Sequence, residues 1–344
     1  MATSSITYSD IFSVQNVIIG PAATFGLTLF VAGFYALLFG LSTYFLMNRR
    51  DINKKLHLAW TSAVFLIANL GALTRASNYI VDAVFYYDAV RTQDFGPLIA
   101  YTTGGSSQTA MLTLTGLCYI IANCIADAIL IYRCHILYGS RKAILVPLVF
   151  ISLATNALGV VATSMKVKAQ SSNLESDSNW ELFSVGSRLQ IGYYCANAGV
   201  NGFLTLLLAG RIWWMAREAR TFLQSQVHAI DRNYKSLASV IFESGMLYPI
   251  TLIVHVVLAE STSKIGIPID LTPIAILMAG IVPTLITVRI SIGKSVEMTR
   301  PKVTAIRHDA DARDPGTFRA ERTSSSRSES ISRTDDLEQQ DHKY

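Results

Sequence analysis

The chain has 344 residues, of which 51% are hydrophobic and only 15% are charged, against about 25% charged residues in a typical soluble domain. Residues 294–344 hold 20 of its 53 charged residues, so the rest of the chain is poorer still in charge. A soluble globule cannot cover its surface with so little charge. This composition argues against a soluble enzyme, a nucleic-acid-binding protein, a secreted disulfide scaffold and a coiled coil.

We therefore expect an all-α, multi-pass membrane protein. A bilayer requires roughly 20 consecutive apolar helical residues, and seven segments qualify as spans. In chain order they cover residues 23–47, 57–74, 110–135, 143–163, 189–214, 237–259 and 271–293. Residues 1–22 form the N-terminal segment before the first span, and residues 294–344 form a polar tail that is expected to be disordered.

The aromatic stretch 78–90 after the second span is too polar to cross the membrane. It is either an interfacial helix or a simple extension of the second span beyond the bilayer. Both interpretations stay open at this stage.

Lysine and arginine near the ends of the spans indicate the orientation. With residues 1–22 outside, 17 basic residues lie on the inner side and 6 on the outer side. Seven helices then place the tail in the cytoplasm. The multi-pass protein would reside in the plasma membrane or an endomembrane.

Ionisable side chains inside the spans are candidates for functional sites. Asp127 lies in the third predicted span, Glu243 in the sixth, and Arg289 near the inner end of the seventh. An unpaired charge would be costly there, so we expect Arg289 to pair with Asp127, with Glu243, or with both. The alternative is that Arg289 extends to the cytoplasmic interface and Glu243 is protonated.

Amide side chains also share helix faces. Asn123 and Asp127 lie four residues apart in the third span, as do Asn197 and Asn201 in the fifth, and Asn156 adds an amide in the fourth. The amides either join the helices by hydrogen bonds or, with Asn123, Asn156, Asn197 and Asn201 as its lining, form a polar cavity that receives a ligand. Pro249 and Pro283 predict kinks in the last two spans.

A search for catalytic motifs gives no argument for an enzyme, a cofactor or a metal site. The chain contains no Walker A loop, no GxGxxG and no His-Glu-x-x-His. In the tail, serines among arginines are candidate phosphorylation sites, because basic residues beside serine suit basophilic kinases. These sites are Ser324, Ser325, Ser326, Ser328 and Ser330.

Three stretches carry a resemblance: ADAILIYRCHIL at 126–137, ESGMLYPI at 243–250, and AGIVPTLITVRISIG at 279–293. They resemble a group of seven-helix membrane proteins of mushroom-type (basidiomycete) fungi, and the resemblance covers all seven spans but not the tail. It implies fold and topology, and it implies no activity. His135 departs from the aromatic residue expected in that group.

The layout is also similar to that of a G-protein-coupled receptor, with seven helices, basic inner loops and a serine-rich tail. The chain lacks Asp-Arg-Tyr at the end of the third span, Asn-Pro-x-x-Tyr in the seventh, and a cysteine in the loop 164–188. We expect a receptor-like membrane protein embedded in the lipid bilayer, with a small-molecule or lipid ligand and no nucleic-acid partner. A cytoplasmic signalling partner would bind at the inner loop 211–236 and the tail. A small-solute or lipid transporter and a non-catalytic structural membrane protein are the alternatives.

Overall fold

A computed structural model describes residues 13–48, 54–103, 105–139, 142–172, 176–222, 227–265 and 269–291. Throughout these ranges the regular structure is helical, and a single π-helical turn, Gln15–Ile19, leads into the first long helix. We label the helices α1 to α8 in chain order. They are α1 Gly20–Met47, α2 Lys54–Thr92, α3 Gly96–Thr102, α4 Ser106–Leu137, α5 Lys142–Ser171, α6 Asp177–Phe222, α7 Val227–Ile265 and α8 Thr272–Ser291.

Six of the described segments are long and apolar enough to cross a membrane, and they contain α1, α2, α4, α5, α7 and α8. The surface of these helices carries large apolar side chains, including Phe30, Leu37, Phe150 and Ile253. Contiguous apolar surface of this kind is unfavourable in water and favourable against lipid tails. The chain is thus an all-helical, multi-pass membrane protein in its described part.

The predicted span 189–214 lies inside α6, which is not among the six apolar helices. The asparagines and tyrosines along this segment lower its average apolar character. Several of them, such as Tyr193, Asn197 and Asn201, are buried, whereas Phe203 and Leu206 are exposed at the surface of the bundle. Its buried face therefore contains these polar side chains together with apolar ones such as Leu204 and Leu208, and its exposed face is apolar at Phe203 and Leu206.

Several helices extend well beyond the predicted spans. The stretch 78–90 continues the same helix as the second span, so the helical extension is correct and a separate interfacial helix is wrong. The extension packs on α3, where the rings of Phe85 and Tyr101 stack at 4.1 Å between centroids. This contact with α3 holds the extended end of α2 in place.

The inner loop predicted over 211–236 is largely helical, which corrects the prediction of a long loop. Its first part belongs to α6 and its last part to α7. The guanidinium of Arg211 lies 4.5 Å from the ring centroid of Trp214, and that of Arg217 lies 5.1 Å from the centroid of Trp213. These cation–π contacts, three or four residues apart, stabilise a continued helix.

Close helix contacts depend on small residues, as is usual in membranes. α6 packs along both α5 and α7, and α2 packs along α4. A methyl group added at Gly71 of α2 would lie 2.6 Å from Cys118 Cβ of α4, and one at Gly280 of α8 would meet the hydroxyl of Tyr35 in α1. Such glycines allow neighbouring helices to approach closely.

Pro249 lies within α7 and Pro283 within α8. The kinks predicted there remain predictions. The tail 294–344, with its five candidate phosphorylation sites, lies outside the described residues.

Candidate ligand-binding site

A network of buried polar side chains crosses the middle of the bundle. Its best-connected acid is Asp127 of α4, which is 1% exposed. Ser152 Oγ donates to Asp127 Oδ2 at 2.7 Å, and Asn156 Nδ2 donates to the same oxygen at 3.2 Å. Asn201 Nδ2 donates to Asp127 Oδ1 at 3.2 Å. These donors belong to α5 and α6, so one carboxyl group joins three helices.

The network continues through Tyr248 of α7. Its hydroxyl donates to Asn123 Oδ1 at 2.5 Å, and Asn197 Nδ2 donates to this hydroxyl at 2.8 Å. Asn123 Nδ2 also donates to the hydroxyl of Tyr193 at 3.0 Å. Tyr119 lies with its hydroxyl 3.2 Å from that of Tyr248. We refer to these side chains together as the polar network: Tyr119, Asn123, Asp127, Ser152, Asn156, Tyr193, Asn197, Asn201 and Tyr248.

The four asparagines, for which the sequence left open interhelical hydrogen bonds or the lining of a polar cavity, are all members of this network. Asn123, Asn156, Asn197 and Asn201 are all buried, and each donates a hydrogen bond to another member or to a nearby backbone carbonyl. They bring the polar faces of α4 and α6 together, as the four-residue spacing suggested. Asn123, Asn197 and Asn201 join helices through these hydrogen bonds. Asn156 also donates to Asp127, but it lines a second cavity of about 330 Å³ and its Oδ1 is buried without a hydrogen-bond partner.

Of the pairings predicted for Arg289, the one with Glu243 forms and the one with Asp127 does not, so the three residues do not make one buried cluster. Arg289 Nη1 lies 3.3 Å from Glu243 Oε2, and their side chains are 33% and 71% exposed. Asp127 is not part of this pair, because its carboxyl group is already surrounded by donors from α5 and α6. The pair between Arg289 and Glu243 therefore lies at the surface of the bundle.

The sequence predicted that Arg289 would connect the third predicted span to the seventh. In the structure, Arg133 of α4 connects α4 to α8 instead. Its Nη2 donates to Thr287 Oγ1 and to the carbonyl of Pro283 at 3.4 Å, while its Nη1 is buried without a hydrogen-bond partner. This arginine thus ties the third predicted span to the seventh at the Arg289 end of the bundle.

A cavity of about 340 Å³ opens on the opposite side of the polar network, toward the end of the bundle predicted to be extracellular. Tyr119 and Tyr193 belong both to the network and to the cavity lining. We call this space the charged cavity, because Arg75, Asp82 and Lys166 also line it. A volume of this size is at the lower end of the range for small-molecule sites.

One wall of the charged cavity is held by an ion pair. Arg75 of α2 donates from Nε and Nη2 to Asp270 Oδ2, with both distances 3.0 Å. The other carboxylate oxygen of Asp270 accepts from the backbone N–H of Thr272 at 2.9 Å and from its hydroxyl at 2.5 Å. Asp270 thereby connects α2 to the first turn of α8.

The surroundings of Asp270 decide its protonation. Burial by itself would raise the pKa of this carboxyl group, but the charge of Arg75 and the hydrogen bonds from Thr272 outweigh burial and hold the pKa below its ordinary value. Asp270 is therefore ionised at neutral pH, and its charge is balanced by Arg75.

The other charged groups have different partners. Asp82 Oδ1 accepts from the hydroxyl of Tyr101 at 2.8 Å. Lys166 Nζ donates to Gln190 Oε1 at 2.6 Å, and Gln190 Nε2 donates to the hydroxyl of Tyr194 at 2.7 Å. In the sequence, Arg75 and Lys166 served only to predict the orientation of the chain in the membrane. Opposite charges at the outer ends of two predicted spans, Arg75 and Asp270, could have indicated their pairing.

Within the described residues, no group of three histidine, cysteine, aspartate or glutamate side chains is arranged to hold a metal ion. Comparison with known proteins gives no match to any protein-family profile, curated protein or solved structure. The arguments for function therefore come from the molecule itself.

Proposed function

We propose that this chain is a seven-helix, receptor-like membrane protein that senses a small molecule in the charged cavity. The observation that carries the proposal is the continuity between the cavity and the polar network. Tyr119 and Tyr193 line the cavity, and their hydroxyls contact network members that lead to Asp127. A ligand that moves either tyrosine would disturb hydrogen bonds among α4, α5, α6 and α7.

The seventh span in this proposal is α6. Its polar side chains Asn197 and Asn201 are buried and its side chains Phe203 and Leu206 are exposed, which matches a helix with protein on one side and lipid on the other. The basic residues favour an orientation with the charged cavity facing outward and the Arg289 end facing the cytoplasm. The resemblance to the seven-helix fungal proteins supports the same topology.

Accessibility of the cavity tests the orientation. Ser187 of α6 lines the cavity, and Ser187→Cys can be introduced after the exposed thiols are removed by Cys124→Ser and Cys195→Ser. A membrane-impermeant thiol reagent applied to intact cells should modify Ser187→Cys and leave a Val257→Cys control, exposed among apolar side chains of α7, unmodified. Modification from the cytoplasmic side only would overturn the proposed topology, and modification from both sides would indicate a transporter.

The sensing role requires that a change in the charged cavity alters the helix spacing at the Arg289 end of the bundle, and this coupling can be measured. Spin labels at Ile136 of α4 and Met215 of α6, both exposed near the Arg289 end, report the spacing of these helices. Met111→Trp fills the cavity and Tyr193→Phe removes a network hydrogen bond. We expect each to change the distribution of label distances in full-length protein in lipid nanodiscs. If both variants give the parent distribution, the cavity and the inner end are not coupled and the sensing role is wrong.

A further inference from the structure

We propose that the charged cavity binds a small organic carboxylate and that Lys166 receives its negative charge. This assignment rests on the proposed function, because it names the class of ligand for the same cavity. The charged side chains around the cavity differ in their partners, and this difference decides which of them is available to a ligand.

Arg75 already has an ionic partner, and Asp82 already has a hydrogen-bond donor. The Nε and Nη2 groups of Arg75 are engaged with Asp270. Asp82 lies in the field of Arg75 and accepts hydrogen bonds from Tyr101 and Gln108. An anionic ligand at Arg75 would compete with Asp270, and a ligand that used Asp82 would have to supply a donor or a positive charge.

Lys166 differs from them because its partner is neutral. Its ammonium donates to the side-chain carbonyl of Gln190 and lies 5.3 Å from the ring centroid of Phe183. No carboxylate forms an ion pair with Lys166 within the described part of the chain. An ammonium has three donors, so this cation can accept an anionic ligand without losing its bond to Gln190.

The position of Lys166 is built into the packing of α5 against α6. A methyl group added at Gly186 would lie 2.9 Å from Lys166 Cγ and 3.2 Å from the carbonyl oxygen of Ala162. The absence of a side chain at Gly186 therefore makes room for the stem of Lys166 between the two helices. Lys166 is one of the residues that line the cavity.

The cavity chemistry favours a carboxylate over a phosphate. A phosphate dianion is best received by two parallel donors of an arginine, and the Nε and Nη2 donors of Arg75 are engaged with Asp270. The single positive charge of Lys166 matches the single negative charge of a carboxylate. The rest of the lining is largely apolar or aromatic and suits an aryl or short alkyl body; it includes Met111, Leu112, Tyr119, Phe183, Ile191 and Tyr194.

The test measures binding of matched probes to full-length protein in nanodiscs. The probes are 3-phenylpropionate, indole-3-acetate and octanoate, each paired with its neutral amide, and 3-phenylpropylamine is the cationic probe. Dissociation constants come from the concentration dependence of thermal stabilisation, with empty nanodiscs as the blank. We expect at least one carboxylate to bind about 10- to 100-fold more tightly than its amide, as a charge-assisted hydrogen bond predicts.

Substitutions at Lys166 test whether the preference for the carboxylate over its amide depends on this lysine. Lys166→Met should bring the ratio between acid and amide close to one, and Lys166→Arg should retain a preference for the acid. Lys168→Met is the matched control, because Lys168 is exposed and does not line the cavity. Its ratio should equal that of the parent.

Three results would overturn the assignment. In the first, no carboxylate binds more tightly than its amide. In the second, the preference survives in Lys166→Met. In the third, 3-phenylpropylamine binds best and loses affinity in Asp82→Asn. The proposed function fails separately: a carboxylate that binds through Lys166 without changing the distance between labels at Ile136 and Met215 would leave the ligand class intact and remove the sensing role.

Discussion

The ion pair between Arg75 and Asp270 offers the sharpest test of the structural argument. Asp270→Asn keeps the shape of the side chain and one oxygen that can accept from Thr272. It replaces the other oxygen with an amide that faces the donors of Arg75, so both hydrogen bonds from the guanidinium are lost. The substitution therefore leaves an arginine charge without its partner at the rim of the bundle.

The magnitude follows from burial. Removing one partner of a fully buried pair costs about 3–5 kcal/mol. The side chains of Arg75 and Asp270 are 28% and 9% exposed, so water solvates part of the stranded guanidinium. We expect Asp270→Asn to lower the free energy of unfolding by about 2–3 kcal/mol. Arg75→Gln combined with Asp270→Asn should recover about half of this loss, because no buried charge is left unpaired.

Equilibrium unfolding in detergent at pH 7 measures these differences. Asp88→Asn is the matched control, because Asp88 is an exposed carboxylate on the same helix as Arg75; it should stay within about 0.5 kcal/mol of the parent. If Asp270→Asn also unfolds like the parent, or if the double variant loses the sum of the two single losses, the pair does not stabilise the bundle.

The pH dependence has a definite sign. The pKa of Asp270 is lowered in the folded protein, so its contribution is fully present above the ordinary aspartate pKa of about 3.9. This contribution is lost as the pH falls through the lower, folded-state value. The stability difference between the parent and Asp270→Asn should therefore be constant from about pH 5 to pH 8 and shrink below about pH 4. A difference that disappears between pH 5 and pH 7 would contradict the assignment of an ionised Asp270.

Three further predictions concern packing, the surface ion pair and the polar network. Gly71→Ala should destabilise the protein by about 1–3 kcal/mol, because its Cβ would lie 2.6 Å from a side-chain Cβ of α4. Gly33→Ala, which meets nothing within 4 Å, should not destabilise it in the same thermal-unfolding assay, and equal losses would refute the packing argument. Arg289→Ala should lower stability by at most about 1 kcal/mol in detergent, since its pair with Glu243 lies at the surface of the bundle; a loss of several kcal/mol would restore the idea of a buried cluster. Tyr248→Phe removes a hydroxyl that bonds to α4 and α6 and should cost about 1–3 kcal/mol by chemical denaturation, whereas an unchanged midpoint would show that the network adds no stability.

Much of the architecture could be predicted from the sequence, because a bilayer imposes strong constraints on composition. Long uncharged segments can only be satisfied as helices, and the first six predicted spans lie within helices of the structure. Of the seventh, residues 272–291 are helical, residue 271 is not, and residues 292–293 lie outside the described residues. Helix ends were less predictable. The sequence left open whether 78–90 is a separate interfacial helix or an extension of the second span, and it predicted a loop over 211–236. Ring stacking at Tyr101 and cation–π contacts at Arg211 accompany the continuation of both helices.

The partners of the polar side chains depended on the tertiary structure. Four-residue spacing showed that Asn197 and Asn201 share a face and that this face is a good partner for Asp127. Residue spacing along one helix does not reveal how the neighbouring helices are rotated about their axes. It therefore could not show that Ser152 of α5 donates to Asp127. Since these donors occupy the carboxyl group, Arg289 was left to pair with Glu243.

The sequence by itself determined the membrane-embedded, helical character of the chain and the faces on which its amides lie, because both depend on local hydropathy and helical periodicity. Only the tertiary structure decided where the cavity is and which charge remains for a ligand. Arg75 and Asp270 are 195 residues apart in the chain, and Lys166 meets Gln190 across two helices. Helix packing determines which side chains become partners. It can give one charged group a neutralising neighbour and leave a second charged group available to a ligand.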